Sequence, residues 1–257
     1  MPEFPHSAAP QFSARLASVY HLLFPARPAQ LAFLAALAGT APARVVDLGC
    51  GTGEYVAALH GQGYDAYGVE LSLEMIKAGR ARHPELCGAR GPLRLVHGDM
   101  LELADLLRSP FDLAYCIGNT LPHLAGDSKV REALAQMWDM TRPAGAVAAQ
   151  VVNFDRVTAT AAGGAGEFAM ATLSREEGGV SVSLERRYTL EALPERVVFH
   201  TRLSASGEVS EGRSELLALT RARLGALLPR GATPAWLADY DSSEWTAQSP
   251  ATILVLR

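Results

Sequence analysis

The 257-residue chain is 49% apolar and 19% charged, an ordinary globular balance, with a formal net charge of -4. That acidic total, with no basic run to offset it, argues against nucleic-acid or anionic-membrane partners. No apolar run reaches the ~18 residues of a membrane span, and Cys50, Cys87 and Cys116 are too few and too widely spaced for a disulfide framework or a metal-ligand pattern, which points to no metal site and a reducing cytoplasm.

Residues 1–42 read as an N-terminal helical cap. Arg15 and Arg27 precede AQLAFLAALAG, and APA follows at 41–43, a pattern that mimics a secretory leader. Leu31, Leu34 and Leu37, with Phe33 beside them, also fit an amphipathic helix, and cleavage after APA would leave a terminus at the edge of the next strand. The helix is the better reading.

From 43 to 152 strand and helix patterns alternate. RVVDL (44–48) is a strand and EYVAALH (54–60) opens a helix. YDAYGVEL (64–71) is a strand, followed by a helix over 72–83 with Ser72 as N-cap. LRLVHGD (93–99) precedes a short helix near 102–107, and FDLAYCI (111–117) is a fourth strand. The next helix, 127–141, has Asp127 and Ser128 as cap candidates and Val130, Leu134, Met137 and Trp138 on one face. AGAVAAQVV (144–152) is a fifth strand. Five β-α alternations imply a parallel sheet covered on both faces.

Residues 158–166, TATAAGGAG, then read as a loop. EFAMATLS, VSVSLERRYTL, RVVFHTRLS and EVSEGRSELL, separated by REEGG, EALPE and ASG, suggest an antiparallel meander inserted at about 158–217. A helix (220–228) and strands at 232–241 and 252–257 close the chain.

VVDLGCGTGE (45–54) carries the chemistry. Its glycines let the backbone turn sharply and approach a ligand at a helix N-terminus. The spacing is G-x-G-x-G, with Glu54 where a dinucleotide fingerprint needs its third glycine, which disfavours a nicotinamide-dependent oxidoreductase. Asp47 would repel a pyrophosphate but suits an ammonium group. Glu70 ends the second strand, where a carboxylate takes ribose hydroxyls, and Asp99 with Met100 ends the third, where one accepts from an adenine amine. The expected ligand has an ammonium, a ribose and an adenine but no phosphates, a description that S-adenosylmethionine fits.

The series VVDLGCGTGE, GVELS, HGDM and FDLAYC resembles the motifs of class I S-adenosylmethionine-dependent methyltransferases, and CIGNTLPHL with TRPAGAVAAQVVNFD is similar to the glycine N-methyltransferase-like small-molecule group. The resemblance implies a Rossmann-like, seven-stranded, mostly parallel sheet with an antiparallel last strand, the meander lying between strand five and the last helix. It makes residues 43–257 the cofactor-binding domain. It also implies that Gly49, Cys50, Gly51 and Gly53 line the methionine part of the cofactor. Asp47 would serve its amino group, Glu70 the ribose, and Leu71, Asp99 and Met100 the adenine. Cys116 and Ile117 would approach the sulfonium through backbone, and Arg27 would serve the cofactor carboxylate.

Methyl transfer from a sulfonium is an in-line displacement. A neutral amine needs no strong base, whereas a hydroxyl needs a base or a metal. No Asn/Asp-Pro-Pro-aromatic sequence follows the fourth strand, so a small-molecule amine is the expected acceptor. Asn119 would orient it, and His123 would hydrogen-bond it or accept a proton. Tyr20, Asn153, Asp155 and Arg156 are further acceptor contacts, with Arg187, Tyr188, His200, Arg202 and Arg213 as the meander's candidates. The meander equally suits a homodimer interface. The alternatives are a sensor that binds the cofactor without turnover, or a natural-product or protein acceptor. Cys50 and Cys116 are expected to lie near each other at the pocket, where oxidation would block the cofactor.

Overall fold

The computed structural model describes residues 10–88, 92–108, 110–190 and 195–257. Two helices lead, α1 (Pro10–Leu23) and α2 (Pro28–Ala38), the second started by Pro28 in its first turn. The alternating half follows as β1 (Arg44–Leu48), α3 (Glu54–Gly61), β2 (Asp65–Glu70), α4 (Leu73–Arg82), β3 (Leu95–His97), α5 (Leu103–Leu106), β4 (Phe111–Cys116), α6 (Asp127–Asp139) and β5 (Thr141–Val152). Then come α7 (Phe154–Thr160), β6 (Glu167–Ala169), β7 (Leu173–Glu177), β8 (Val180–Leu190), β9 (Arg196–Ala205) and β10 (Glu208–Leu217). The chain closes with α8 (Arg221–Gly225), β11 (Pro234–Leu237) and β12 (Ala251–Leu256).

The main sheet has seven strands in the order β11-β12-β5-β4-β1-β2-β3, with β12 antiparallel to β5 and β1 to β5 parallel. This is the Rossmann-like arrangement with an antiparallel last strand. Val46, Leu48, Ala114 and Cys116 pack on one face with α6, while Val45, Leu113, Tyr115 and Cys50 pack on the other with α2 and α3. A second, antiparallel sheet runs β10-β9-β8-β6, with β7 also on β8. EFAMATLS is therefore two short strands rather than one. α1 packs on this second sheet, where Phe12 and Leu23 join Val182, Leu184 and Leu203 in a third core. Among the described residues no helix is long and apolar enough to cross a membrane.

Two local expectations change. The stretch 158–165 is helical, α7 running on into a wide turn at Ala161–Ala165 that ends at left-handed Gly166 (φ 66°), and the Asn153 side chain starts α7 by accepting from Arg156 N at 3.4 Å. α6 has Gly126, not Asp127 or Ser128, at its N-cap; the Asp127 carboxylate accepts instead from Arg223 Nε of α8 at 2.8 Å. Most of the expected turn EALPE, residues 191–194, and residues 1–9 of the expected cap lie outside the described residues.

Candidate functional site

All parallel strands end along one edge, and β1 sits between β2 and β4, where the strand order reverses and a crevice opens. Asp47 is in register with Gly68 of β2 and Tyr115 of β4. The loop beyond β1 turns through three left-handed glycines, Gly49 (φ 77°), Gly51 (φ 58°) and Gly53 (φ 83°). It also has no room for side chains. A Cβ on Gly49 would lie 2.4 Å from Thr120 Cγ2, and one on Gly51 would lie 2.9 Å from Tyr20 Cε1.

Asp47 is 2% exposed, and its Oδ1 has no partner among the described residues. Burial first, and the charge of Glu70 second, push its carboxyl well above the usual carboxylate range. Tyr115 is fully buried beside it, and a side-chain contact between its phenol and this carboxyl offsets part of that rise. Glu70 accepts from Gly51 N at 3.0 Å through Oε2 and from Ser72 N at 2.8 Å through Oε1. Burial still raises its pKa against those amides. Each Glu70 oxygen keeps a second lone-pair site for a hydroxyl. Leu71, next in the chain, is 43% exposed and offers an apolar surface at the β2 tip. Asp99 Oδ1 accepts from Leu101 N at 3.0 Å to start the turn Met100–Glu102, and Met100 packs on the core. An orphaned buried acid suits an ammonium group, because a buried charge without a partner is costly. With Glu70 and Leu71 beyond it, the donor set fits S-adenosylmethionine.

On the other side of β1, strand β4 delivers Cys116 and buried Ile117 to a turn of two successive left-handed residues, Gly118 (φ 82°) and Asn119 (φ 69°). Gln150 of β5 fixes it. Its Oε1 accepts from Gly118 N at 2.8 Å, and its backbone oxygen accepts from Asn119 N at 3.3 Å. Asn119 Oδ1 accepts from Val152 N at 2.9 Å, and Asn119 Nδ2 donates to Tyr188 Oη at 3.4 Å. The Asn119 amide thus ties the strand tip to β5 and β8, leaving one Nδ2 hydrogen and one Oδ1 lone pair for anything else. His123 closes the 3-10 turn Leu121–His123, its N donating to Thr120 O at 3.0 Å.

Other expected contacts land elsewhere. Asn153 is 1% exposed and does not face a substrate. Its Nδ2 donates to the carbonyls of Thr246 (3.2 Å), Ala247 (3.2 Å) and Ser249 (3.0 Å), while Oδ1 caps α7. Asp155 accepts from Arg221 N at 2.8 Å, holding the start of α8. Arg156 lies over the Phe168 ring, 5.3 Å from its centroid. Tyr20 rests on Gly51 at the cofactor loop, and burial with the charges of Glu70 and Asp47 raises its phenol. The Arg27 backbone N donates to Tyr55 Oη at 3.3 Å while its side chain is exposed. Arg187, His200, Arg202 and Arg213 alternate onto the face of the meander opposite Tyr188. Cys50 and Cys116 sit in different cores on opposite faces of the sheet, and burial raises both thiols.

Two groups of residues were missed. Tyr115 and Tyr55 lie close enough to Asp47 to feel its charge; the alternation of FDLAYC, with strands one and four as neighbours, puts Tyr115 opposite Asp47. Arg186 shares its face with Leu184 and Tyr188, the phase already visible in VSVSLERRYTL.

Residues 45–145 match the family model described as a methyltransferase domain. The chain is 29% identical over 117 residues to a glycine/sarcosine N-methyltransferase of Aphanothece halophytica, covering 44% of this chain and 42% of that one. It is 38% identical over 144 residues to a trans-aconitate 2-methyltransferase of Deinococcus radiodurans, covering 54% and 50%. The chain thus spans about half the length of these relatives. Among solved structures, the CcbJ methyltransferase from Streptomyces caelestis matches with a TM-score of 0.72 at 22% identity, covering 94% of this chain and 95% of that one.

Proposed function

We propose that this chain, whose residues 45–145 match a methyltransferase domain, is a class I S-adenosylmethionine-dependent methyltransferase that transfers a methyl group to an amine nitrogen of a small-molecule acceptor. The observation that carries the reading is the orphaned Oδ1 of buried Asp47 beneath a glycine loop with no room for side chains. S-adenosylmethionine supplies, when bound, a methyl group already activated on a sulfonium. Asp47 holds the ammonium, Glu70 the ribose hydroxyls, and Leu71, Asp99 and Met100 the adenine. The Gly118–Asn119 turn bounds the side of the crevice nearest β4. The remaining task is positioning, which can supply roughly 7–11 kcal/mol of a barrier. The acceptor nitrogen must arrive neutral, and His123 is the group assigned to take its proton.

The amine preference is supported by the glycine/sarcosine N-methyltransferase relative. A second reading, transfer to a carboxylate oxygen, is favoured by the 38% identity to a protein named for trans-aconitate. Calorimetry with S-adenosylmethionine, S-adenosylhomocysteine and NAD tests the cofactor; heat with NAD alone would overturn the reading. A panel of amines and carboxylic acids, assayed for S-adenosylhomocysteine release, then separates the acceptors. An ester product is lost on mild alkaline treatment and a methylamine is not. Cofactor binding without release on any member would mark a sensor instead.

A further inference from the structure

Arg186 stands on the inner face of the second sheet, in phase with buried Val182, Leu184 and Tyr188. Its neighbours across the sheet are Thr201 and Gly212. The row before it on this face is Leu184 and Leu203, which pack on α1, and the row after it is Tyr188 stacked on Phe199 at 4.8 Å. Two residues along a strand is about 7 Å, so the guanidinium belongs to the stretch of wall next to the tyrosine that touches Asn119. Gly212 keeps the row open. A Cβ there would meet Thr201 Oγ1 at 2.6 Å and Phe12 Cε1 at 3.1 Å.

A cation in an apolar stripe needs an anion, and Arg186 has none. Among the described residues its one side-chain hydrogen bond is from Nη2 to Ala171 O at 3.0 Å, and its Nε is buried without a partner. Burial first lowers its pKa, with Tyr188 acting against that shift and the Arg27 guanidinium adding to it. The meander's outward arginines differ. Arg187 pairs with Glu167 at 3.1 Å, Arg202 with Glu211 at 2.8 Å, and Arg213 lies 3.9 Å from Glu215. Arg186 faces the other way and has no carboxylate among the described residues; Arg175 shares that face, opposite Val182, but is exposed on β7, whereas Arg186 is partly buried.

We propose that Arg186 binds an oxyanion, carboxylate or phosphate, carried by the methyl acceptor, making it a specificity-determining residue of the acceptor site. This rests on the methyltransferase reading above. A guanidinium suits the role because its planar fork can meet two oxygens at once.

The test uses the full chain saturated with S-adenosylhomocysteine and measures binding of matched probes by calorimetry: glycine and β-alanine, phosphoethanolamine, and ethanolamine, which keeps the amine but carries no oxyanion. The oxyanion-bearing probes are expected to bind at least tenfold more tightly than ethanolamine. Carboxylate and phosphate arms separate the two sources. Arg186→Gln should abolish the preference, and Arg186→Lys should restore part of it, with S-adenosylhomocysteine affinity unchanged in both as the sign of an intact fold. Equal binding of probes with and without the oxyanion, a preference that survives in Arg186→Gln, or no oxyanion-bearing probe binding to the saturated wild type would each overturn the assignment. Failure of S-adenosylhomocysteine itself to bind would instead sink the methyltransferase reading.

Discussion

Asn119 and Tyr188 are 69 residues apart in sequence, yet the amide of one donates to the hydroxyl of the other at 3.4 Å. The contact joins the tip of β4, where the acceptor is proposed to sit, to a strand of the second sheet. Tyr188 is itself wedged among aromatic rings, stacked on Phe199 and edge-on to Phe154 at 5.9 Å. The second sheet therefore sets the orientation of the Asn119 amide.

Tyr188→Phe keeps the ring and deletes the hydroxyl. It should cost about 1 kcal/mol of stability, leave S-adenosylmethionine affinity unchanged, and lower kcat/KM for the acceptor roughly fivefold. Asn119→Ala should do more, because Val152 N loses its acceptor and alanine at φ 69° is strained. Asn119→Gly removes the strain and isolates the lost amide. In the double variant the Tyr188 effect should vanish. Steady-state kinetics with calorimetric cofactor binding decides; additive losses would uncouple the two residues.

Asn153 was expected at the acceptor and is instead a structural clamp on residues 246–249. Asn153→Ala is predicted to cost about 2–4 kcal/mol, since three carbonyls lose their donor and α7 loses its cap. For a chain of this size that is a fall of several degrees in Tm. Acceptor KM in the protein that stays folded should not move. A stable variant with a raised KM would return Asn153 to the site.

What could be seen in advance divides along a physical line. The β-α half is written in local periodicity: apolar strands, a glycine turn, and helices with their own faces, such as Ser72 capping α4 by accepting from Met75 N. Those signals need only neighbours in sequence. Asn153 looked like an exposed polar residue after a strand, because its three carbonyl partners lie more than ninety residues away. Asp127 looked like a cap for the same reason, its partner Arg223 being supplied by α8. Arg186 was hidden by Arg187 beside it, although the alternation of VSVSLERRYTL separates the two faces. Long-range polar pairing, rather than hydrophobic pattern, is where single-sequence reading stopped.

The expectation that Cys50 and Cys116 cooperate in oxidation is replaced by its opposite. Both are buried on separate faces of the sheet, and burial disfavours their thiolates. Cys87 is the more accessible thiol. A disulfide-exchange reagent should label one thiol quickly in the native protein and all three in denaturant. Peptide mapping should place the fast one at Cys87, and cofactor binding should survive the labelling. Fast labelling at Cys50 would contradict the structure.

Asp47 links stability to function with opposite signs. Its folded-state pKa is raised by burial and by Glu70, so from about pH 4 upward the ligand-free folded chain holds a proton there that the unfolded chain has released. Stability from this group is then present below about pH 4 and is lost as pH rises toward the folded pKa. Asp47→Asn removes the loss. The ligand-free variant should match or exceed the wild type in Tm, by a few degrees at pH 8 and less at pH 5. The cofactor responds the other way. Its ammonium wants the ionised carboxylate, so wild-type affinity should fall as pH drops, whereas the variant should bind at least tenfold more weakly, about 1.4 kcal/mol, with a flatter pH profile. Differential scanning calorimetry and titration calorimetry at the two pH values measure both. A variant that is less stable yet binds S-adenosylmethionine normally would show that Asp47 is a structural acid and remove it from the cofactor site.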